Sequence, residues 1–340
     1  MVKNMSKPCV LILSDKYYSD SIKKIYEKIL NCNIRTISNV DLTSDDSDIC
    51  FQLKCILNQY NEGMKYGCNI ILDNNEMNKL PYYKSNNYKY YSLDGNIFKD
   101  YKVIKKINPK VKFLYYLRYK MHIKLITFLL RNTQLYIRKN IGFEINEGSF
   151  ERIENALNKH IANNNNVINI LKYYFYYKTK LKNVYLDKPK NCLKVGIISN
   201  KYIPVELYYN YFIEKEFSNN NIEVSRNIEY NYKESKLKIK YYLFKLRQYC
   251  KYNIGFRELR SLYRTNNFIK RNYDSIIFIK TSNCLQDINT SIIIKKMCSN
   301  NDIPFMVIDF NENITELKLK NDINAFYDMM RIIKNNNKKG

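Results

Sequence analysis

The sequence predicts an α/β protein with two doubly wound parallel-sheet domains and a helical segment between them. A chain of 340 residues is long for a single core and fits two domains. In each half, short apolar runs alternate with stretches whose apolar residues recur at helical spacing. Strands that alternate with helices along a chain form parallel sheets. We therefore expect two Rossmann- or flavodoxin-like domains, over residues 1–110 and 191–335, and a helical connecting segment over 111–190.

The N-terminal half contains three apolar runs that predict strands, over 9–13, 33–38 and 69–72. Between these runs lie two stretches with helical periodicity, over 17–30 and 49–65. Acidic and serine residues over 41–48 suit the start of the second helix, and Gly67 suits its end. Residues 82–101 are rich in Tyr, Asn and Lys with little periodicity, and we expect irregular structure there.

The rest of the chain shows the alternation more clearly. Helical patterns fill the connecting segment over 111–138, 149–162 and 167–182. Near-continuous apolar runs, typical of buried parallel strands, cover 193–199, 222–225, 274–279 and 303–309. Helical patterns separate and follow these runs over 205–217, 234–250, 256–271, 285–297 and 321–333. Ligands of such sheets bind at the carboxyl ends of the strands, which here are Ser199–Asn200, Thr281–Cys284 and Asp309–Glu312.

Composition narrows the classes of function. The net charge of +25 suits an anionic partner, but Lys, Asn, Ile and Tyr are abundant together throughout the chain, which indicates coding bias. We therefore do not expect nucleic acid as the partner. No apolar stretch approaches the roughly 20 residues of a membrane helix, and residues 1–8 lack the apolar core of a secretory signal. We expect a cytoplasmic protein without a membrane partner.

The sequence lacks the short motifs that are typical of several enzyme classes. The phosphate-binding loop, the dinucleotide fingerprint and the Gly-x-Ser-x-Gly nucleophile elbow are absent. His122 and His160 lie on separate helical segments and form no metal-ligand pair. The nine cysteines are scattered without a Cys-x-x-Cys pair, which favours reduced thiols over a disulfide framework. We take most of them, including Cys9, as structural.

Several segments resemble one family. The stretch KVGIISNKYIPVELYYNYFIEKEFSNNNIEV (194–224) resembles the start of the C-terminal domain of the CoA protein activase group, relatives of the 2-hydroxyacyl-CoA dehydratase subunits. The resemblance continues through YDSIIFIKTSNCLQDINTSIIIKKMCSNNDIPFMVIDFNEN (273–313) and INAFYDMMR (323–331). In the N-terminal half, DICFQLKCILNQYNEGMKYGCNIIL (48–72) resembles the family segment that carries its first cluster cysteine. Order and spacing agree over nearly the whole chain.

In that family three cysteines bind a [4Fe–4S] cluster between two domains. By position, the resemblance places the first on Cys50 and the third on Cys284, while the middle position falls at about Lys79. Of the family's Gly-Gly-His-Gly element, only Gly255 remains. Cys68 is a weaker candidate for a third ligand. The resemblance thus implies Cys50 and Cys284 as the remaining cofactor and metal ligands of a partial or labile cluster.

What the resemblance implies is a degenerate homologue of the dehydratase-like iron–sulfur proteins. Its partners would be an ATPase activator or a second dehydratase-like subunit, an acyl-CoA would suit the basic chain, and any activity would be of the lyase class. Two alternatives stay open. One is a cofactor-free, non-catalytic binding or partner-regulating subunit. The other, less favoured, is a nucleic-acid-binding protein, which would require the basic side chains on one face.

Overall fold

The computed structural model confirms the α/β class: two four-stranded parallel sheets carry helices on their faces. The chain divides into two compact units, of which one contains 1–46, 53–130 and 152–180 and the other contains 47–52, 131–151 and 181–340. The domain boundaries at 110 and 190 stay a prediction. The structure describes residues 9–13, 20–35, 60–73, 89–93, 96–164, 166–200, 213–220, 222–226, 236–311 and 314–336.

The first sheet has the strand order β2-β1-β3-β4, and all its strands are parallel. Its strands are β1 (Cys9–Leu13), β2 (Asn33–Arg35), β3 (Ile70–Asp73) and β4 (Lys89–Ser92). Helix α1 (Asp20–Leu30) connects β1 to β2 and buries the apolar face that its periodicity predicts, with Ile22, Ile25 and Ile29 in the core. Residues 60–65 are helical, as expected, while 49–59 lie outside the described part.

The expectation of irregular structure over 82–101 is wrong for the described residues 89–92 and 97–101. Strand β4 and the first turn of helix α2 (Ile97–Ile107) lie inside this range. The strand was missed because β4 is an edge strand, and an edge accepts Lys and Tyr where a central strand requires an apolar run. The helix start was missed because its signal is a single residue: Asn96 caps α2, and its side chain accepts from the amides of Phe98 and Lys99.

The three helices predicted between 111 and 182 are confirmed. They are α3 (Phe113–Asn140), α4 (Ser149–Asn163) and α5 (Val167–Lys182), with a short 3₁₀ turn over Ile141–Phe143. No helix among the described residues is both long enough and apolar enough to span a membrane.

The second sheet has the order β6-β5-β7-β8, again all parallel. Its strands are β5 (Leu193–Ser199), β6 (Ile222–Arg226), β7 (Ser275–Thr281) and β8 (Phe305–Phe310). The helices of this part are α6 (Ile213–Asn219), α7 (Lys236–Leu246), α8 (Phe256–Lys270), α9 (Leu285–Ser299) and α10 (Glu316–Asn336). The predicted strands and helices are confirmed in the described part, with ends that differ by up to five residues. Residues 201–212 and 234–235 lie outside that part.

Alternate residues of β7 show that the second sheet is covered on both faces. Ile277 and Ile279 belong to an apolar cluster with α6 and α10. Ile276 and Phe278 belong to a second cluster with α7, α8 and α9. Because successive strand residues point to opposite faces, β7 is central in a three-layer arrangement. This arrangement leaves the strand ends as the places where polar groups can gather.

Candidate functional site

The switch point of the second sheet lies between β5 and β7. The chain leaves β5 for β6 on one side and later adds β7 on the other side. In doubly wound sheets, ligands bind in the crevice that this reversal opens at the carboxyl ends of the strands. Two of the three predicted strand ends, Ser199–Asn200 and Thr281–Cys284, lie here on neighbouring strands. Ser199 pairs with Ile279, which is two residues before Thr281. The carboxyl ends of β5 and β7 were therefore predicted correctly from the sequence.

Asp287 is the centre of a buried polar network at this edge. One carboxylate oxygen accepts from the Asn200 side-chain amide at 2.9 Å. The other accepts from the backbone amide and the hydroxyl of Thr281, at 3.0 and 2.8 Å. The Asn200 amide also donates to the Thr290 hydroxyl at 3.2 Å, and that hydroxyl donates to the Gln286 carbonyl. Asp287, Thr281 and Thr290 have no exposed surface.

The local sequence explains why Asp287 lies at the start of α9. Cys284 is the N-cap residue, so Asp287 occupies the third helical position, where a carboxylate interacts favourably with the helix dipole. Asn283 adopts a positive φ of 58°, which Asn tolerates better than most residues. A fully buried carboxylate is costly without partners. Here three hydrogen bonds satisfy it and join the end of β7 to the start of α9.

Asn200 has one polar atom that the network leaves unsatisfied. Its amide nitrogen must face Asp287, because an ionised carboxylate only accepts hydrogen bonds. Its carbonyl oxygen Oδ1 is then buried without a hydrogen-bond partner among the described residues, in a side chain that is 4% exposed. Such an acceptor costs roughly 1–3 kcal/mol relative to a satisfied one. A ligand N–H or O–H that reached this oxygen would recover that free energy.

Of the predicted cluster ligands, the structure describes Cys284 but not Cys50. Cys284 lies at the start of α9, at the switch-point edge, and is 7% exposed. Cys50 and the position of the missing middle cysteine, Lys79, lie outside the described residues. Within the described ranges, no group of three or more His, Cys, Asp or Glu side chains could hold a metal ion. Cys68 lies in the other unit, beside Cys9.

The described donors at this edge do not fit a [4Fe–4S] cluster. Cysteine thiolates bind the irons of such clusters. The buried polar network at this edge consists of the Asp287 carboxylate, the Asn200 amide and the hydroxyls of Thr281 and Thr290, which bond to one another. The part of the edge that is described therefore offers hydrogen bonding rather than a thiolate set.

The third predicted strand end is occupied by polar pairs. Asp309 forms an ion pair with Lys280 at 2.7 Å and accepts a hydrogen bond from Ser282 at 2.7 Å. These contacts join the ends of β8 and β7. Glu312 lies outside the described residues. Asp309 thus contributes to the edge as a structural group with its carboxylate already engaged.

Sequence reasoning missed a buried ionic group near the end of β6. Glu214 is fully buried, and one of its oxygens lies 3.2 Å from both Arg138 Nη1 and Arg226 Nε. Burial alone would raise the pKa of Glu214, but the charges of Arg226 and then Arg138 outweigh it and lower that pKa below its ordinary value. Arg138 lies 76 residues from Glu214, so no local motif could have indicated the complete group.

A cavity of about 420 Å³ lies at the opposite, amino edge of the second sheet. Asp274 is among its lining residues, and its two oxygens accept from the Lys194 amide and the Lys334 ammonium, both at 2.8 Å. The carboxylate is therefore committed to holding β5 and α10 in place. Doubly wound sheets bind ligands at the other edge, so we assign no function to this cavity.

Comparisons with known proteins give no family. No family model matches the chain, and no curated protein matches it. Solved structures of a periplasmic metal-binding protein from Candidatus Liberibacter asiaticus are weakly similar. The metal-free form of one of its point mutants has 9% sequence identity to this chain and a TM-score of 0.27. The Mn-bound form of the same mutant has 9% identity and a TM-score of 0.26. Each match covers 95% of this chain and 100% of the matched chain. Similarity at this level says nothing about what this chain binds.

Proposed function

We propose that this chain is a non-catalytic scaffold homologue of the 2-hydroxyacyl-CoA dehydratase-like group, and that it binds a small polar ligand between the ends of β5 and β7. The single observation that supports this proposal is the buried Asn200 Oδ1 at the switch point, which no described residue satisfies. Buried polar groups in native proteins are nearly always paired. An unpaired acceptor where ligands of this architecture bind favours a ligand that donates a hydrogen bond.

The ligand class follows from this acceptor and from the family resemblance. Asn200 Oδ1 requires an N–H or O–H group. Coenzyme A thioesters carry amide N–H groups along their pantetheine arm and hydroxyl and amino groups on their nucleotide. Their phosphates are anionic and suit a chain of net charge +25. We therefore propose an acyl-CoA as ligand, with a dehydratase-like subunit or its ATPase activator as the protein partner, in the cytoplasm.

Binding of coenzyme A itself tests this proposal. We expect coenzyme A at about millimolar concentration to raise the melting temperature of the wild-type chain, because a ligand that binds only the folded state stabilises it. Asn200→Ala should abolish that rise because it removes the acceptor. Thr290→Val is the matched control: it removes a hydroxyl of the same network, leaves Asn200 in place and should keep the rise. An equal rise in Asn200→Ala, or none in the wild type, would contradict the proposal.

A second candidate function rests on the position of Cys284. The resemblance places the family's third ligand cysteine on this residue, and Cys284 lies at the same strand edge as the polar network. A labile [4Fe–4S] cluster with Cys50 and Cys284 among its ligands would require further thiolates from the chain or from a partner. Iron and sulfide that disappear in a Cys284→Ala variant would support this candidate over hydrogen-bonded ligand binding.

A further inference from the structure

Two cysteines of the first unit lie in contact. Cys9 is the first residue of β1, and Cys68 lies two residues before β3, the parallel neighbour of β1, in which Ile70 pairs with Val10. Their sulfur atoms are 2.9 Å apart, close enough for one thiol to hydrogen-bond the other. Cys68 is only 1% exposed, whereas Cys9 is partly exposed. One residue of the pair is therefore partly exposed and the other is enclosed.

The backbone around Cys68 fixes this contact. The helical segment 60–65 ends in a Schellman motif, in which the Gly67 amide donates to the Met64 carbonyl and the Cys68 amide donates to the Gly63 carbonyl. Gly67 supplies the required left-handed conformation, with φ of 72°. Cys68 is the residue directly after this turn, so its position follows from the way the helix ends.

Gly63 holds the same helix against β1. A Cβ atom at Gly63 would lie within 3 Å of three side-chain atoms of Leu11. Glycine therefore allows the helix to approach the strand that carries Cys9. Two glycines and one hydrogen-bonded turn thus bring the backbone of Cys68 next to the strand that carries Cys9.

The pair has the arrangement of an attacking and a resolving thiol. A disulfide bond is about 2.0 Å long, so closing this contact requires a movement of about 0.9 Å. Burial, the hydrogen bond with Cys9 and the charge of Cys9 raise the pKa of Cys68 to about 12. Cys68 therefore remains protonated, and Cys9 is the residue of the pair that is partly exposed to a reagent in solution.

We propose that Cys9 and Cys68 are a thiol-modification site that closes to a reversible disulfide by exchange with a small-molecule disulfide such as glutathione disulfide. The Cys9 thiolate attacks one sulfur of the reagent, forms a mixed disulfide and expels one glutathione thiolate. Cys68 then gives up its proton, attacks the Cys9 sulfur and expels the second glutathione as a thiol. Two protein thiols are oxidised by two electrons, and one glutathione disulfide is reduced to two thiols.

Mass spectrometry of the folded chain tests this site. The reduced full-length protein is incubated with glutathione disulfide in excess, then denatured, alkylated and digested. We expect two fewer alkylated thiols than the nine of the reduced chain, and a peptide pair linked through Cys9 and Cys68. Reduction with excess glutathione should restore all nine thiols.

Two variants and one solvent condition complete the experiment. Cys9→Ser should lose the linked peptide, while Cys192→Ser, a partly exposed cysteine of the other unit, should keep it. The linked peptide in the wild type tests the proposal even if a variant fails to fold. The proposal is overturned if the folded wild type shows no Cys9–Cys68 link, or if Cys9 stops at the mixed disulfide with glutathione. An equal yield of the link in denaturing urea would also overturn it, because the folded structure would then play no part.

Discussion

At the scale of the residue, Glu214 shows how charge is buried in this protein. A fully buried carboxylate is stable only with partners, and two guanidinium groups that are themselves at most 5% exposed supply them. Arg138 lies in the last turn of helix α3, while Arg226 ends strand β6. The group therefore joins three elements, and removing Glu214 takes away the carboxylate that both guanidinium groups face.

Glu214→Gln tests this role. The change removes the negative charge and leaves two guanidinium groups facing an amide, so we expect a loss of about 3–5 kcal/mol in the free energy of unfolding. Urea denaturation at pH 7 measures this loss. Glu147→Gln is the control, because Glu147 is an exposed partner of Lys215, and we expect no change in its unfolding midpoint. A Glu214→Gln variant as stable as the control would contradict the assignment.

The pH dependence of stability gives the same group a second signature. The folded-state pKa of Glu214 is lowered below the ordinary value of 4.5. Its contribution is therefore fully present above that ordinary value and is lost as pH falls through the folded-state pKa. The wild type should lose stability over this range by more than Glu214→Gln, which has no such group to protonate. Urea denaturation repeated at a series of acidic pH values measures this difference, and parallel curves for the two proteins would contradict it.

At the scale of the element, the approach of α8 to β5 is set by one glycine. A Cβ atom at Gly196 would lie 2.5 Å from a ring atom of Phe268. The aromatic ring is part of the apolar cluster on this face of the sheet and is 6% exposed. Because interiors are close-packed, added volume here must move either the ring or the helix.

Gly196→Ala should therefore destabilise the protein by about 1–3 kcal/mol. The double variant with Phe268→Leu should be less destabilised than the two single losses combined, because the smaller side chain makes room for the methyl group. Ser275→Ala is the control on the neighbouring strand: its buried hydroxyl has no hydrogen-bond partner in the described part of the chain, so its loss should be nearly neutral. Strict additivity of the two single changes in denaturation experiments would show that they do not share this contact.

The strands also show where a sequence pattern is sufficient to predict an element. Strands such as β5 and β7 are central and buried on both faces, so their continuous apolar runs identified them. Strand β4 is an edge strand, and its Lys-Tyr-Tyr-Ser sequence carries no such run. The position of Cys68 next to Cys9 depends on a turn and a strand pairing that join residues far apart in sequence. No local pattern could indicate that contact.

At the scale of the whole molecule, the fold and the site were predictable to different degrees. The alternation of strands and helices was sufficient to predict two parallel sheets, and the strand ends Ser199–Asn200 and Thr281–Cys284 lie at the expected edge. Asp287 and Thr290 were not singled out, because their role depends on Asn200, which is far away in sequence. The acidic residue three positions after the helix cap was the one local signal that could have indicated Asp287.

We propose that this edge holds a ligand by hydrogen bonds rather than a cluster by thiolates. Iron and sulfide content after anaerobic purification and reconstitution tests it most directly, in the wild type, in Cys284→Ala and in the control Cys192→Ala. We expect no stoichiometric iron or sulfide in any of the three. Near-stoichiometric iron and sulfide in the wild type and the control, lost in Cys284→Ala, would contradict the claim and support the cluster.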